Sequence, residues 1–133
     1  MKTFNYVFLI LIAMVFCNCN NNNDKSESVT VQFLKSEHDA GKDFFLLDVR
    51  TTPEFYQGRL SFADELISYD SLNFYLDKIP QDKEATIYLF CRSGRRSGIA
   101  TQFLRSLGYK NAYNVSGGIN AWSDAGFEIV SGN

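Results

Sequence analysis

The chain has 133 residues, which is enough for one domain with a single hydrophobic core. Hydrophobic residues make up 45% and aromatic residues 15% of the sequence, proportions typical of a packed globular protein and not of a disordered one. The formal net charge is −2, so there is no overall positive field to attract nucleic acid, and we expect no nucleic-acid partner.

Residues 1–19 have the pattern of an export signal. The apolar run 6–16 carries no charge and is too short for a typical membrane-spanning helix. Cys17 and Cys19 follow it, and a cysteine at this place resembles a bacterial lipoprotein signal, in which the cysteine is lipidated and becomes the mature N-terminus. Neither cysteine follows a small residue, as that pattern requires, so an ordinary cleaved signal and an uncleaved anchor are the alternatives.

Residues 20–28 are polar, begin with four asparagines and have nothing to bury, so they are interpreted as a flexible tether. Residues 29–133 are then left as the folded domain. We expect the protein to be exported and to lie in the periplasm of a bacterium or on its membrane as a lipoprotein.

The first half of the predicted domain alternates helix and strand signals, which is typical of one α/β domain. A short strand and an amphipathic helix are predicted within 30–40, and the apolar run 44–49 predicts a strand buried on both faces. A short helix is predicted over 52–57, a small strand over 66–69 and a helix over 71–76.

The second half gives the strongest pattern. The predicted elements are a buried strand over 85–90, a loop over 91–96, a helix over 97–107, a strand over 111–115, a turn at 117–118 and a helix over 119–124. Strand, helix and strand in one sheet imply right-handed parallel crossovers. Ligands bind such sheets beyond the carboxyl ends of the strands, which is where Cys91 falls.

The loop after the fourth predicted strand favours an ionised cysteine. Cys91 is the only cysteine of the predicted domain, and Gly94 and Gly98 allow a tight curl that turns backbone N–H groups toward the sulfur. The start of the following helix adds positive potential. Three of the six arginines also lie here: Arg92, Arg95 and Arg96. We therefore expect the pKa of Cys91 to lie well below its ordinary value, so that no general base is needed. His38, the only histidine, is interpreted as a surface residue.

The sequence resembles the rhodanese family in three segments, whose order and spacing make the match specific. They are Leu47-Asp-Val-Arg50 followed by Pro53-Glu-Phe55, Tyr88 to Ser97 (YLFCRSGRRS), and Gly108 to Trp122 (GYKNAYNVSGGINAW). The resemblance implies a three-layer α/β domain with a central five-stranded, mainly parallel sheet flanked by helices.

The resemblance also implies a thiosulfate-type sulfurtransferase. Cys91 would take a sulfane sulfur from a small anionic donor such as thiosulfate, and cyanide, a thiol or a protein would accept it. No cofactor and no metal are expected. The residues implied to bind the donor are Arg92, Ser93, Gly94, Arg95, Arg96 and Ser97. Residues 59–66 depart from the family pattern, which leaves the local geometry there open.

Two alternatives use the same cysteine. Phosphatases and arsenate reductases of this architecture place an arginine six positions after it, where this chain has Ser97, so the shorter loop favours the sulfurtransferase. A persulfide carrier or protein-interaction module would keep Cys91 but would show no turnover.

Four further expectations concern residues near the loop. Asp48 is expected to hydrogen-bond the loop, and Arg50 and Glu54 to form an ion pair at the start of the short helix. The turn 117–118 resembles the pocket-lining turn of the family. Trp122 is expected to be a core residue.

Lipidation predicts that one cysteine carries the lipid and that a tether of about ten residues, reaching roughly 15 to 20 Å, separates it from the domain. Cys17 follows the apolar run directly and is favoured. Fatty-acid labelling and membrane fractionation of Cys17→Ser and Cys19→Ser variants should show loss of label in only one of them. A soluble, unlabelled mature protein that begins after Cys19 would contradict lipidation, and an uncleaved chain in the cytoplasm would contradict export.

Overall fold

The computed structural model describes residues 27–132, so the predicted export signal and most of the predicted tether lie outside the described residues. In this described part of the chain, five parallel strands form one sheet in the order β1-β5-β4-β2-β3. The strands are β1 Ser28–Val29, β2 Phe45–Asp48, β3 Glu65–Leu66, β4 Ile87–Phe90 and β5 Ala112–Val115. The five-stranded parallel sheet implied by the sequence is confirmed. The predicted strand 66–69 overlaps β3 only at Leu66.

Within residues 27–132, four α-helices flank the sheet: α1 Val31–Asp39, α2 Thr52–Gln57, α3 Arg95–Ser106 and α4 Gly118–Asp124. The residues before α1 and α2 cap them, because the Thr30 hydroxyl accepts a bond from the N–H of Phe33 and Thr51 forms a capping box with Glu54. No helix in the described part of the chain is both long enough and apolar enough to cross a membrane.

The prediction of one helix over residues 71–76 is wrong. This segment forms two short 3-10 helices, Leu72–Phe74 and Leu76–Lys78, separated at Tyr75 by a backbone conformation outside the helical region. The segment ends in extended backbone at Ile79, because Pro80 disfavours the helical conformation of the residue before it. Helix propensity here gives way to the packing of apolar side chains on the sheet.

Both faces of the sheet are covered, which explains the continuous apolar runs in β2 and β4. In β4, Ile87 and Leu89 face the side of α3 and the 3-10 helices, whereas Tyr88 and Phe90 face the side of α1 and α4. Trp122 is buried on this second side, as predicted. The sheet is therefore the middle layer of three.

The first turn of helix α4 packs against the loop that follows β4. The N–H of Ile119 donates to the Cys91 carbonyl at 2.9 Å, and the N–H of Asn120 donates to the Arg92 carbonyl at 3.1 Å. A Cβ atom at Gly118 would lie 2.2 Å from the Cys91 carbonyl oxygen, and Gly118 has a φ of +52°. Only glycine allows this approach without a shift of the loop or the helix.

Gly118→Ala should therefore destabilise the protein by about 3 kcal/mol or more, since it adds a backbone clash to the cost of a positive φ. Gly126→Ala is a matched control, because Gly126 has a φ of +75° and nothing within 4 Å of its Cβ position. The control should lose only about 1 kcal/mol. Denaturant unfolding of both variants measures the difference. Equal losses would show that the contact with the loop costs nothing.

Candidate active site

The sulfur of Cys91 is surrounded by hydrogen-bond donors. Cys91 directly follows β4 and is 0% exposed. The N–H of Gly94 and the hydroxyl of Ser97 each lie 3.1 Å from Sγ, and the N–H groups of Ser93 and Ser97 also act on it. Burial raises the pKa of Cys91, but these hydrogen bonds outweigh it and hold the pKa below its ordinary value. The site therefore favours a thiolate.

Gly94 creates the curl that collects these donors. Its φ of +95° is in the left-handed region, and α3 starts at the next residue, Arg95, two positions before the predicted start at Ser97. The predicted loop 91–96 is therefore shorter, since Gly94 completes the turn by itself. Gly98 is part of α3 and does not shape the curl as expected. A Cβ atom there would lie 3.4 Å from the Asn114 amide nitrogen.

The three arginines predicted for the loop have different surroundings, and two of them, Arg95 and Arg96, lie in the first turn of α3. Arg96 forms a bidentate ion pair with Glu54, in which the Nη1–Oε2 distance is 2.8 Å and the Nη2–Oε1 distance is 2.6 Å. The bond to Arg96 lowers the pKa of Glu54 to about 2. Arg92 and Arg95 are exposed and have no side-chain hydrogen bond or ion pair within residues 27–132. The positive charge open to a small anion is that of Arg92 and Arg95.

The expected ion pair between Arg50 and Glu54 is wrong. Arg50 is buried and pairs with Asp48, through Nε at 3.0 Å and Nη2 at 2.7 Å, because alternate residues at the end of a strand face the same side. It reaches only the main-chain oxygen of Glu54, at 3.4 Å, and also donates to the Gly58 carbonyl at 2.8 Å. Asp48 accepts from Arg50 and not from the Cys91 loop.

Ser97 and Asn114 extend the site inward. Ser97 is 0% exposed, and its Oγ lies 2.6 Å from Asn114 Oδ1 as well as 3.1 Å from the sulfur. Ser97 was predicted to bind the sulfur donor, and here its hydroxyl contacts the Cys91 sulfur. Asn114 was not predicted as a site residue from the sequence. The feature that could have identified it is a polar side chain within a buried strand, one residue before the carboxyl end of β5.

A cleft of about 430 Å³ lies beside the loop, between α2 and α4. It reaches the loop at Arg92 and does not include Cys91. The turn 117–118, expected to line a pocket, contacts the loop backbone instead. The lining residues are Arg50, Glu54, Gln57, Gly58, Arg92, Ile119, Asn120, Ser123 and Ile129. His38 lies on α1, outside this region, stacked on Phe62 at 3.8 Å.

Comparison with known proteins identifies proteins that are similar to this chain in sequence and in fold. The model of the family described as rhodanese-like domain matches residues 30–125. A sulfurtransferase of Allochromatium vinosum is 38% identical over 90 residues, which cover 68% of this chain and 81% of that protein.

Among solved structures, a rhodanese-like domain protein from Staphylococcus aureus is similar with a TM-score of 0.68 and 34% identity, over 79% of this chain and 99% of that chain. The structure of a thiosulfate sulfurtransferase from Pseudomonas aeruginosa shares the fold, with a TM-score of 0.73 at 20% identity, over 84% of this chain and 21% of that chain.

The Glu54–Arg96 pair predicts a specific pH dependence of stability. Because folding lowers the pKa of Glu54 from 4.5 to about 2, its contribution is complete above pH 4.5 and is lost as the pH falls toward 2. Glu54→Gln should lower the free energy of unfolding at pH 6 by about 1 kcal/mol, allowing for partial exposure. The difference from wild type should shrink between pH 4.5 and 2 in denaturant unfolding. A difference that does not change with pH would contradict the ion pair.

Proposed function

The chain belongs to the rhodanese-like domain family, and from this we propose that it transfers a sulfane sulfur from a small anionic donor such as thiosulfate, through a persulfide on Cys91, to cyanide or a thiol. Family membership supports a sulfurtransferase, and the donor and acceptor are the proposal. The observation that carries it is the set of N–H and O–H donors around the sulfur of Cys91. A thiolate stabilised in this way is a nucleophile that needs no general base.

In the first half-reaction, the Cys91 thiolate attacks the outer sulfur of thiosulfate. A new S–S bond forms to Sγ, and the old S–S bond breaks with its electron pair leaving on sulfite. No proton moves, because the nucleophile, the donor and the leaving group are all anions. The chemistry therefore requires stabilisation of negative charge, which the N–H groups of the loop supply.

In the second half-reaction, the acceptor attacks the outer sulfur of the persulfide. A bond forms from that sulfur to the cyanide carbon or to a thiolate sulfur, and the Cys91 thiolate leaves with the electron pair of the S–S bond. The hydrogen bonds that stabilise the nucleophile thus also stabilise the leaving group. The same hydrogen-bond donors therefore support both half-reactions.

The exposed arginines supply the charge that attracts the donor. Arg92 and Arg95 lie on the loop and the first turn of α3, and their side chains have no partner among the described residues. Arg96 is held by Glu54, so its charge is already balanced. We expect Arg92 and Arg95 to contribute most to the binding of thiosulfate.

A phosphatase is less well supported by the same geometry. Ser97 occupies the sixth position after Cys91 and faces inward to the sulfur, while the neighbouring Arg96 is paired with Glu54. Neither offers the guanidinium that would hold a phosphate over the nucleophile. A persulfide carrier uses the same residues, and steady-state turnover of thiosulfate and cyanide distinguishes the enzyme from the carrier.

Exposure of the full chain to thiosulfate should add one sulfur atom to Cys91. Non-reducing mass spectrometry of the tryptic peptide 84–92 separates this site from Cys17 and Cys19. Cys91→Ser should abolish both the added sulfur and the formation of thiocyanate, and its circular dichroism should match wild type. Sulfur transfer retained in this variant would rule out the proposed mechanism.

Arg95→Ala should raise the KM for thiosulfate by about three- to tenfold with a smaller effect on kcat, since it removes a charge that attracts the anion. Lys42→Ala is the matched control. It removes one exposed positive charge three residues before β2, at the opposite edge of the sheet. Steady-state kinetics at low salt compares the two. Equal KM values in both variants would show that charge at the loop does not bind the donor.

A further inference from the structure

The hydroxyl of Ser97 lies between two groups that compete for its proton. Cys91 Sγ is 3.1 Å from Oγ on one side, and the Asn114 side-chain amide is 2.6 Å away on the other. Ser97 is 0% exposed, so water does not replace either partner. A hydroxyl has one proton to donate and can accept from a second group. The three groups therefore form a chain whose direction is set by that one proton.

With a protonated sulfur, the chain runs from Cys91 to Asn114. The distance of 2.6 Å is that of an O–H···O bond, in which the Ser97 hydroxyl donates to Asn114 Oδ1. The free lone pair of Ser97 Oγ then faces the sulfur and accepts from the S–H group. Each donor has an acceptor in this arrangement.

With an ionised sulfur, the chain must run the other way. A charged acceptor forms the stronger bond, so the Ser97 hydroxyl turns to Sγ. Asn114 Oδ1 and Ser97 Oγ would then face each other without a proton between them. Rotation of the amide by half a turn relieves this repulsion, because Nδ2 then donates to Oγ. The amide lies against Gly98, which has no side chain to obstruct the rotation.

We propose that Asn114 is a positioning residue that ends a reversible hydrogen-bond chain at Cys91. It accepts through Oδ1 when the sulfur is protonated and donates through Nδ2 when the sulfur is charged. Its consequence for catalysis rests on the proposed function, in which the same thiolate is first the nucleophile and then the leaving group. The hydrogen-bond chain itself does not require a sulfur donor, so it can be tested without one.

Other charged groups surround the site but act independently of this chain. From α3, Arg96 is paired with Glu54 of α2 and interacts electrostatically with Cys91. From the end of β2 comes the Asp48–Arg50 pair. Arg92 and Arg95 are exposed. Farther along α3, Arg105 donates to the Ala112 carbonyl of β5 and lies 3.8 Å from Glu27. None of these side chains bonds to the side chains of Ser97 or Asn114 within the described residues. These charges are the same in every variant. Differences in the Cys91 titration between variants therefore reflect the hydrogen bonds of Ser97 and Asn114.

The experiment measures the titration of the Cys91 thiolate in the full chain by its ultraviolet absorbance. Each variant is compared with the same variant carrying Cys91→Ser, which subtracts Cys17, Cys19 and the tyrosines. The variants form a double-mutant cycle of Ser97→Ala and Asn114→Leu. Asn114→Asp is a second probe, because a carboxylate has nearly the same shape and can accept but cannot donate. Thermal unfolding confirms that each variant is folded.

Asn114→Leu should move the midpoint of the titration up by about 0.5 in pH, and Ser97→Ala should move it further. In the Ser97→Ala background, Asn114→Leu should have no further effect. Asn114→Asp should raise the midpoint more when Ser97 is present than when it is absent, since charge alone acts in both backgrounds.

An unchanged or lower midpoint in Asn114→Leu would show that the amide only competes for the hydroxyl proton, and would overturn the proposal. The same shift with and without Ser97 would show an effect of burial, and would also overturn it. An equal effect of Asn114→Asp in both backgrounds is the third contradicting result. Failure of thiosulfate turnover would refute the proposed function and leave these titrations intact.

Discussion

A buried sulfur can carry negative charge only if hydrogen-bond donors are fixed around it, because mobile donors would have to be reordered at each step. Here the loop backbone is fixed on both sides. Its N–H groups turn toward Cys91 Sγ, and its carbonyl groups at Cys91 and Arg92 accept bonds from the first turn of α4. Gly118 allows α4 to approach this closely. The sheet brings both pieces to the same edge, so the fold and the chemistry meet in one short loop.

The charged residues of the site form a series of linked contacts and not one positive patch. The buried Asp48–Arg50 pair fixes the end of β2, and Arg50 holds main-chain carbonyls of α2 and of Gly58, the residue after it. Helix α2 in turn presents Glu54 to Arg96. Arg96 therefore braces the first turn of α3 more than it attracts a ligand. The hydrogen bonds, and not the arginines, are the main cause of the lowered pKa of Cys91.

The sequence predicted the parallel sheet, the position of Cys91 and the core role of Trp122, because apolar runs and glycine turns are local patterns. It did not predict which charges pair. Arg50, Glu54 and Arg96 could combine in several ways, and only the geometry of the strand end and of α2 decides between them. Asn114 was missed for a similar reason: its partner lies 17 positions earlier in the chain, and a polar residue in a strand does not say what it faces.

The complete burial of Cys91 also gives the site a filter based on shape. A terminal sulfur, such as the outer atom of thiosulfate, has a single neighbour and needs little room to approach Sγ end-on. The sulfur atoms of a disulfide have substituents on both sides, so they need a larger displacement of the loop to reach bonding distance. Low pKa and exposure normally make a cysteine sensitive to oxidation. Here a lowered pKa goes together with complete burial, so a bulky oxidant would reach the Cys91 thiolate only after the loop had moved.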